Sequence, residues 1–155
     1  MTYILSIPSP SAQEQLSKFI NTMASDCSGR EYLLSNQSTI VVPLLNAVRN
    51  EKMDTLFRQH LLGALQKLSL RRVSQSIMNQ NAWVAYLLDL FEDLEGLSEY
   101  TIEYGAALLM NLCLRTLGKK ACLADPARTL RILNELLEHD NLQVFHTWFQ
   151  KIHNQ

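Results

Sequence analysis

Apolar residues recur three and four positions apart along this chain, and two-residue alternation is almost absent, which predicts helices nearly throughout. Ser9 and Pro10 open the first, since serine caps free amide groups and proline is tolerated at the first helical position. Leu16, Phe19, Ile20 and Met23 then share one face, and Asp26 to Gly29 break the pattern. A short apolar run at Tyr32 to Leu34 gives way to a polar break at Ser35 to Ser38. The next helix carries Ile40, Val41, Leu44, Leu45 and Val48, with Pro43 near its start, where a lost amide hydrogen bond costs least. Val41 and Val42 favour a strand, but the spacing of Leu44, Leu45 and Val48 outweighs them.

Asp54 is read as the cap of a long helix that buries Leu56, Phe57, Leu61, Leu65 and Leu68. A break at Arg71 to Ser74 leads to a short helix around Ile77. Asn81 is read as the cap of a helix bearing Trp83, Val84, Leu87, Leu88 and Phe91, which ends near Gly96. Ser98 starts the longest expected helix, through Ile102, Ala106, Leu109, Leu112 and Cys113, with Gly118 as its stop. Asp125-Pro126 begins another, with Leu130, Leu133, Leu136 and Leu137; Asn141 begins the last, with Val144, Phe145, Trp148, Phe149 and Ile152.

The stretch Leu65-Gln-Lys-Leu68-Ser-Leu70-Arg71 matches Leu109-Met-Asn-Leu112-Cys-Leu114-Arg115 one period later, and Gly63 pairs with Ala107. After a small slip, Leu87, Leu90 and Phe91 match Leu133, Leu136 and Leu137, while Leu44 and Leu45 stand one period before Leu87 and Leu88. The predicted unit is one long kinked helical stretch, a turn and a second helix of about 12 residues. A period of about 44 residues with that layout marks armadillo or HEAT repeats. Such units are apolar on more than one side and need a neighbour to cover them. The alternative is an ordinary helical bundle with accidental leucine matches.

The expected fold is therefore all-α: an armadillo/HEAT-like helical solenoid, a right-handed superhelix of two to three repeats plus flanking helices. Residues 1–36 are assigned to N-terminal flanking helices, 37–139 to armadillo-like repeats, and 140–155 to a C-terminal capping or truncated-repeat helix. Solenoid ends need polar caps, yet the last helix is rich in large apolar groups. Either it folds back as a cap, or the chain is a fragment or short form of something longer, which is the favoured reading.

The segment Ser98-Glu-Tyr-Thr-Ile-Glu-Tyr-Gly-Ala-Ala-Leu-Leu-Met-Asn-Leu-Cys-Leu-Arg115 resembles the armadillo-repeat-containing protein nine family of LisH-domain ciliary proteins. Upstream, Met53-Asp-Thr-Leu-Phe-Arg-Gln-His-Leu-Leu-Gly-Ala-Leu-Gln-Lys-Leu-Ser-Leu-Arg-Arg72 is similar to the same family's preceding repeat, and the likeness runs from Val41 to Leu142. The resemblance implies a non-enzymatic scaffold at basal bodies, centrioles and cilia, linked to ciliary assembly and signalling. It also implies ciliary or centrosomal partners, among them a microtubule-associated TOG-array protein. Met1 to Ala24 shows no LisH-like segment, so dimerisation through that element is not carried over.

Composition narrows the class further. Apolar residues make up 47% of the 155, with only five glycines and four prolines, enough for a packed core and unlike a disordered chain. A formal net charge of -1 gives no bulk attraction to nucleic acid or an anionic membrane. Cys27, Cys113 and Cys122 are an odd, scattered set that fits reduced thiols better than a disulfide framework. Met1 to Ile7 is apolar but lacks a basic residue and ends at Pro8, unlike a signal peptide. No window approaches the roughly 20 apolar residues of a membrane span. The expectation is a soluble protein of the cytoplasm and cytoskeleton, at the ciliary basal body or centriole.

Candidate chemistry is sparse, and neither an enzyme nor a cofactor is expected. His146 and His153 can share a helix face but lack a third metal ligand, and His60 and His139 are isolated. Cys113 sits among leucines as a small hydrophobe. Cys122 lies near Lys119 and Lys120, whose charges lower a thiol pKa, but no base is placed beside it. No G-x-S-x-G, phosphate-cradling glycine loop or H-E-x-x-H occurs.

Three surface sets remain as binding candidates. Asp89, Glu92, Asp93, Glu95, Glu99 and Glu103 fall in a stretch without Lys or Arg, which reads as a dock for a basic segment. The plainer reading is a solvated loop plus acids at a helix start. Lys67, Arg71 and Arg72 form a basic cluster for tubulin's acidic surface, which makes a microtubule-binding module the alternative function; a second is a short form that competes with, or only stabilises, a longer relative. A peptide-binding ladder would comprise Asn46 and Arg49, then Trp83 and Tyr86, then Arg131 and Asn134. Trp83 is followed by Leu87 where import-type grooves place asparagine, so that mode of recognition is not expected, and Trp83 reads more readily as core.

Overall fold

The computed structural model describes residues 9–35 and 40–138, and within them every regular element is a helix. They are α1 (Pro10–Ser25), α2 (Cys27–Leu34), α3 (Val41–Asn50), α4 (Leu56–Leu68), α5 (Arg72–Gln80), α6 (Trp83–Leu90), α7 (Glu99–Cys113), α8 (Thr116–Cys122) and α9 (Pro126–Glu138). A long helix followed by two shorter ones recurs three times, an all-α armadillo-like arrangement. The predicted kinked stretch is in fact two helices, because Ser69–Arg71 and Leu114–Arg115 break it completely. The last predicted helix, with His146 and His153, and also His139, lie outside the described residues.

Stacking follows one register. Ser17, Ile20, Asn21 and Ala24 of α1 are buried, and so are Leu61, Ala64, Leu65 and Leu68 one period on, then Gly105, Leu108, Leu109 and Leu112. That spacing is one helix face, and α1 packs along α4 as α4 packs along α7. Phe19, expected in the core, is 61% exposed because the face covered by α4 is the one through Ile20 and Asn21. Leu56, Leu130 and Leu137 are likewise exposed, at the edges of their helices' buried stripes. Leu44, Leu45, Val48, Trp83, Leu87 and Phe91 fill the core between α3, α6 and the long helices.

Several caps differ from expectation. Ser9 caps α1 and Asp125 caps α9 as predicted, by accepting the amides of Ala12 and Arg128. Asp26 does not merely end α1; its carboxylate accepts the Gly29 amide at 3.0 Å and starts α2. The cap of α4 is Thr55 rather than Asp54. Ser98 caps α7 as predicted, although α7 has 15 residues and α1 has 16. Asn81 closes α5 instead of opening α6; Ala82 precedes α6 in the left-handed region at φ 55°, without a side-chain cap.

Gly29 and Gly118 were expected to break helices, yet each is the third residue of one, α2 and α8. A Cβ on Gly29 would lie 2.0 Å from the Met23 carbonyl oxygen, and one on Gly118 would lie 2.1 Å from that of Leu112. These glycines let a short helix press against the end of the preceding long helix. The equivalent residue of α5 is Ser74, also a small residue, and it is wholly buried.

Candidate protein-binding surface

The stacked faces of α1, α4 and α7 carry a cluster of polar and aromatic groups. Asn21 donates its amide to the Tyr100 hydroxyl at 3.0 Å and accepts from Lys67 Nζ at 2.7 Å. Lys67 lies 5.7 Å from the Tyr104 ring centroid, within cation–π range. Tyr100 and Tyr104, one turn apart, stack with centroids 4.2 Å apart, and His60 meets Tyr100 edge-on at 6.5 Å. The close crossing depends on Gly63, where a Cβ would stand 2.3 Å from the Tyr100 hydroxyl.

Burial sets the charge states of this cluster. It pushes the Lys67 ammonium below its ordinary range, with Arg30 adding to the effect. It pushes the His60 imidazole down against the opposing pull of Glu14, with Lys18 and Lys67 adding to the effect. It pushes the Tyr100 phenol up against the Asn21 hydrogen bond. Near neutral pH the His60 imidazole is therefore uncharged and the Tyr100 phenol keeps its proton. His60 reads as isolated in the sequence because its neighbours lie on other units. The i, i+4 pair Tyr100 and Tyr104 was the visible signal.

Of the predicted ladder, the structure brings Arg49, Trp83 and Tyr86 together. The Arg49 guanidinium sits 5.7 Å and 5.8 Å from the two ring centroids and donates to the Asn81 carbonyl. The rings themselves are 4.6 Å apart. Trp83 is wholly buried, so it packs the core and offers no surface; Tyr86 is half-buried. Asn46 and Asn134 are exposed. Arg131 lies apart on α9, bonded to Glu92 and Glu135.

The acidic set is divided. Asp89 accepts from Arg128 at 2.7 Å, and Glu92 bonds both Arg128 and Arg131, so α9 neutralises this part of the loop. Hydrogen bonds from Arg131 and Arg128 hold the Glu92 carboxyl below the usual range. Asp93 caps the Glu95 amide, Glu95 and Glu99 are exposed, and Glu103 is half-buried. The basic set is divided too. Lys67 faces Asn21 and Tyr104, Arg71 pairs with Glu31 at 2.9 Å, and Arg72 is exposed. Sequence reasoning counted these charges without seeing partners supplied by other helices.

Among the described residues no group of three His, Cys, Asp or Glu side chains is placed to hold a metal ion. No helix among them is long and apolar enough to cross a membrane. Cys122 has its thiol lowered to about 7 by its hydrogen bond with the Cys113 thiol, rather than by Lys119 and Lys120.

Comparison with known proteins agrees with the fold. A family model described as LisH domain-containing protein ARMC9, ARM repeats, matches residues 78–148. The chain is 42% identical over 133 residues to the LisH domain-containing protein ARMC9 of Danio rerio, covering 85% of this chain and 16% of that protein. It is 39% identical over 141 residues to the protein of the same name from Mus musculus, covering 91% and 17%. To that of Homo sapiens it is 40% identical over 132 residues, covering 85% and 16%. The chain thus spans about a sixth of the length of these relatives. Repeats of this type form helical protein-interaction modules. The stacked units, the family match and these identities together establish that the chain carries the armadillo-repeat segment of the LisH domain-containing ARMC9 family.

Proposed function

We propose that this segment is a non-enzymatic scaffold that binds other proteins at the cilium, at its basal body or centriole. The observation that carries the reading is the 40% identity to the human LisH domain-containing protein ARMC9 across 85% of the chain. The face of α1, α4 and α7 is the proposed dock. Tyr100 and Tyr104 are half-buried rings on a rigid helix, which lose little rotamer freedom when covered. The Lys67 ammonium, bonded to Asn21, lies beside the Tyr104 ring. Asn46, Tyr86 and Asn134 on the other helices offer less, because Trp83 is closed off and both arginines of that set hold internal partners. The tubulin-binding reading is weaker for the same reason, since Lys67 and Arg71 are already engaged within the chain.

Proximity labelling in ciliated cells tests both parts. The bait is the chain itself, beside Tyr104→Ala, which spares the bond between Asn21 and Tyr100. Deleting Asp89 to Glu103 would cut into α6 and α7 and confuse binding with folding. Enrichment of basal-body and ciliary proteins, reduced by Tyr104→Ala at unchanged melting temperature, is expected. A list without ciliary proteins removes the cellular role. An enrichment that Tyr104→Ala leaves intact moves the dock to another face.

A further inference from the structure

Two thiols of the third unit are in contact. Cys113 ends α7 and Cys122 ends α8, and their sulfur atoms are 3.3 Å apart. Both are free and only partly buried, so small reagents reach them. The contact is built by the backbone. The break at Leu114 and Arg115 turns α8 against α7, and Gly118 lets α8 press onto the Leu112 carbonyl. Thr129 donates to the Cys122 carbonyl at 2.9 Å and so ties the same point to α9.

The separation suits one chemistry better than another. Two thiolates on a tetrahedral metal, each about 2.3 Å from it, stand roughly 3.8 Å apart and need further ligands. Among the described residues no third ligand completes such a set. A disulfide requires about 2.05 Å, so the two sulfurs, 3.3 Å apart, need to approach by roughly 1.2 Å. We propose that Cys113 and Cys122 form a hydroperoxide-sensitive dithiol that closes to a disulfide and locks α8 onto α7.

The roles of the two sulfurs are unequal. The hydrogen bond between the two thiols lowers Cys122 to about 7, against the opposing effect of burial, so Cys122 is the readier of the two to ionise. The same bond and burial push Cys113 up, which keeps its proton in place. The Cys122 thiolate attacks one oxygen of hydrogen peroxide; the O–O bond breaks and the departing hydroxide takes a proton to leave as water. Cys122 is then a sulfenic acid. Cys113 sulfur attacks Cys122 sulfur, the S–O bond breaks, and the Cys113 proton leaves with that oxygen as a second water. Two thiols are oxidised by two electrons, and one peroxide is reduced to two waters. Cys27 is exposed, with Arg71 and Glu31 beside it and no second thiol, and serves as the internal control.

The test treats the full chain with hydrogen peroxide, quenches with catalase, alkylates and digests with trypsin. Expected is a link between the peptides holding Cys113 and Cys122, about 2 Da lighter than the two thiols, reversed by dithiothreitol, with Cys27 still alkylated. Cys113→Ser should leave Cys122 as a sulfenic acid captured by dimedone, and Cys122→Ser should abolish the reaction at Cys113. Unfolding in urea before oxidation should remove the preference over Cys27. The proposal is overturned if Cys122 passes to sulfinic acid while Cys113 stays alkylatable. It is equally overturned if links to Cys27 form as readily in the folded chain.

Discussion

Asp54→Ala probes how one unit is joined to the next. Although Asp54 precedes α4, its carboxylate serves α7: Oδ2 accepts the Ser98 amide at 2.6 Å, and Oδ1 accepts the Thr101 hydroxyl at 2.7 Å. Oδ1 also lies 3.3 Å from Arg58, and the two charged side chains are only 9% and 7% exposed. Breaking a buried pair from one side costs about 3–5 kcal/mol, because the other charge stays buried without compensation. The orphaned Ser98 amide adds about 1–3 kcal/mol unless water reaches it. These losses overlap, so a net cost of about 4 kcal/mol is expected, a large share of the roughly 5–15 kcal/mol that holds a domain. At a urea slope of about 2 kcal/mol per molar, the unfolding midpoint falls by about 2 M. Far-UV circular dichroism reads it directly.

Two further measurements separate this mechanism from simple truncation. Asp54→Ala with Arg58→Met removes both charges and should recover part of the loss. Burial pushes the Asp54 carboxyl up, but the Thr101 and Ser98 hydrogen bonds and Arg58 together hold it below its ordinary value. A lowered folded pKa gives stability that is fully present above the unfolded value of about 3.9 and lost as pH falls through the folded one. The gap between wild type and Asp54→Ala should therefore narrow below about pH 4. A single-variant cost under about 1 kcal/mol, or a gap that does not change with pH, would refute the account.

Gly118→Ala should destabilise by about 1–3 kcal/mol, since its Cβ meets backbone that cannot move independently; a thermal melt at or above wild type would show instead that ordinary helix propensity governs the site. Trp83→Ala should cost about 3–5 kcal/mol, and an unchanged melting temperature would place that ring outside the core. Ala82→Gly should raise stability by about 0.5–1 kcal/mol by relieving the left-handed backbone, less the extra freedom of glycine when unfolded. A lower midpoint would contradict that conformation. Glu92→Gln should lower the melting temperature at low ionic strength and lose that effect in about 1 M salt, because its arginine partners are surface groups; a gap that persists in salt would mean the network is desolvated.

The helical class, the period and most core leucines were legible in the sequence because burial on one face repeats with the helix turn, and the turn is a local property. The caps Ser9, Ser98 and Asp125 were legible for the same reason: each bonds an amide three residues away. Asp54 looked like another local cap, but its acceptors meet donors 44 and 47 residues on, in a unit that stacking brings alongside. Gly29 and Gly118 looked like helix stops because glycine is a weak helix former. Only the approach of neighbouring helices reveals that the missing Cβ is what matters. The acidic and basic runs were counted correctly but looked free, since Arg128, Arg131 and Glu31 reach them from other helices. Likewise, His60, Lys67, Asn21 and Tyr100 are ordinary surface residues in one dimension and a single cluster in three. Periodicity determined what each helix buries; which helix it buries it against, and so which polar groups end up paired or left for a partner, was decided by the stacking.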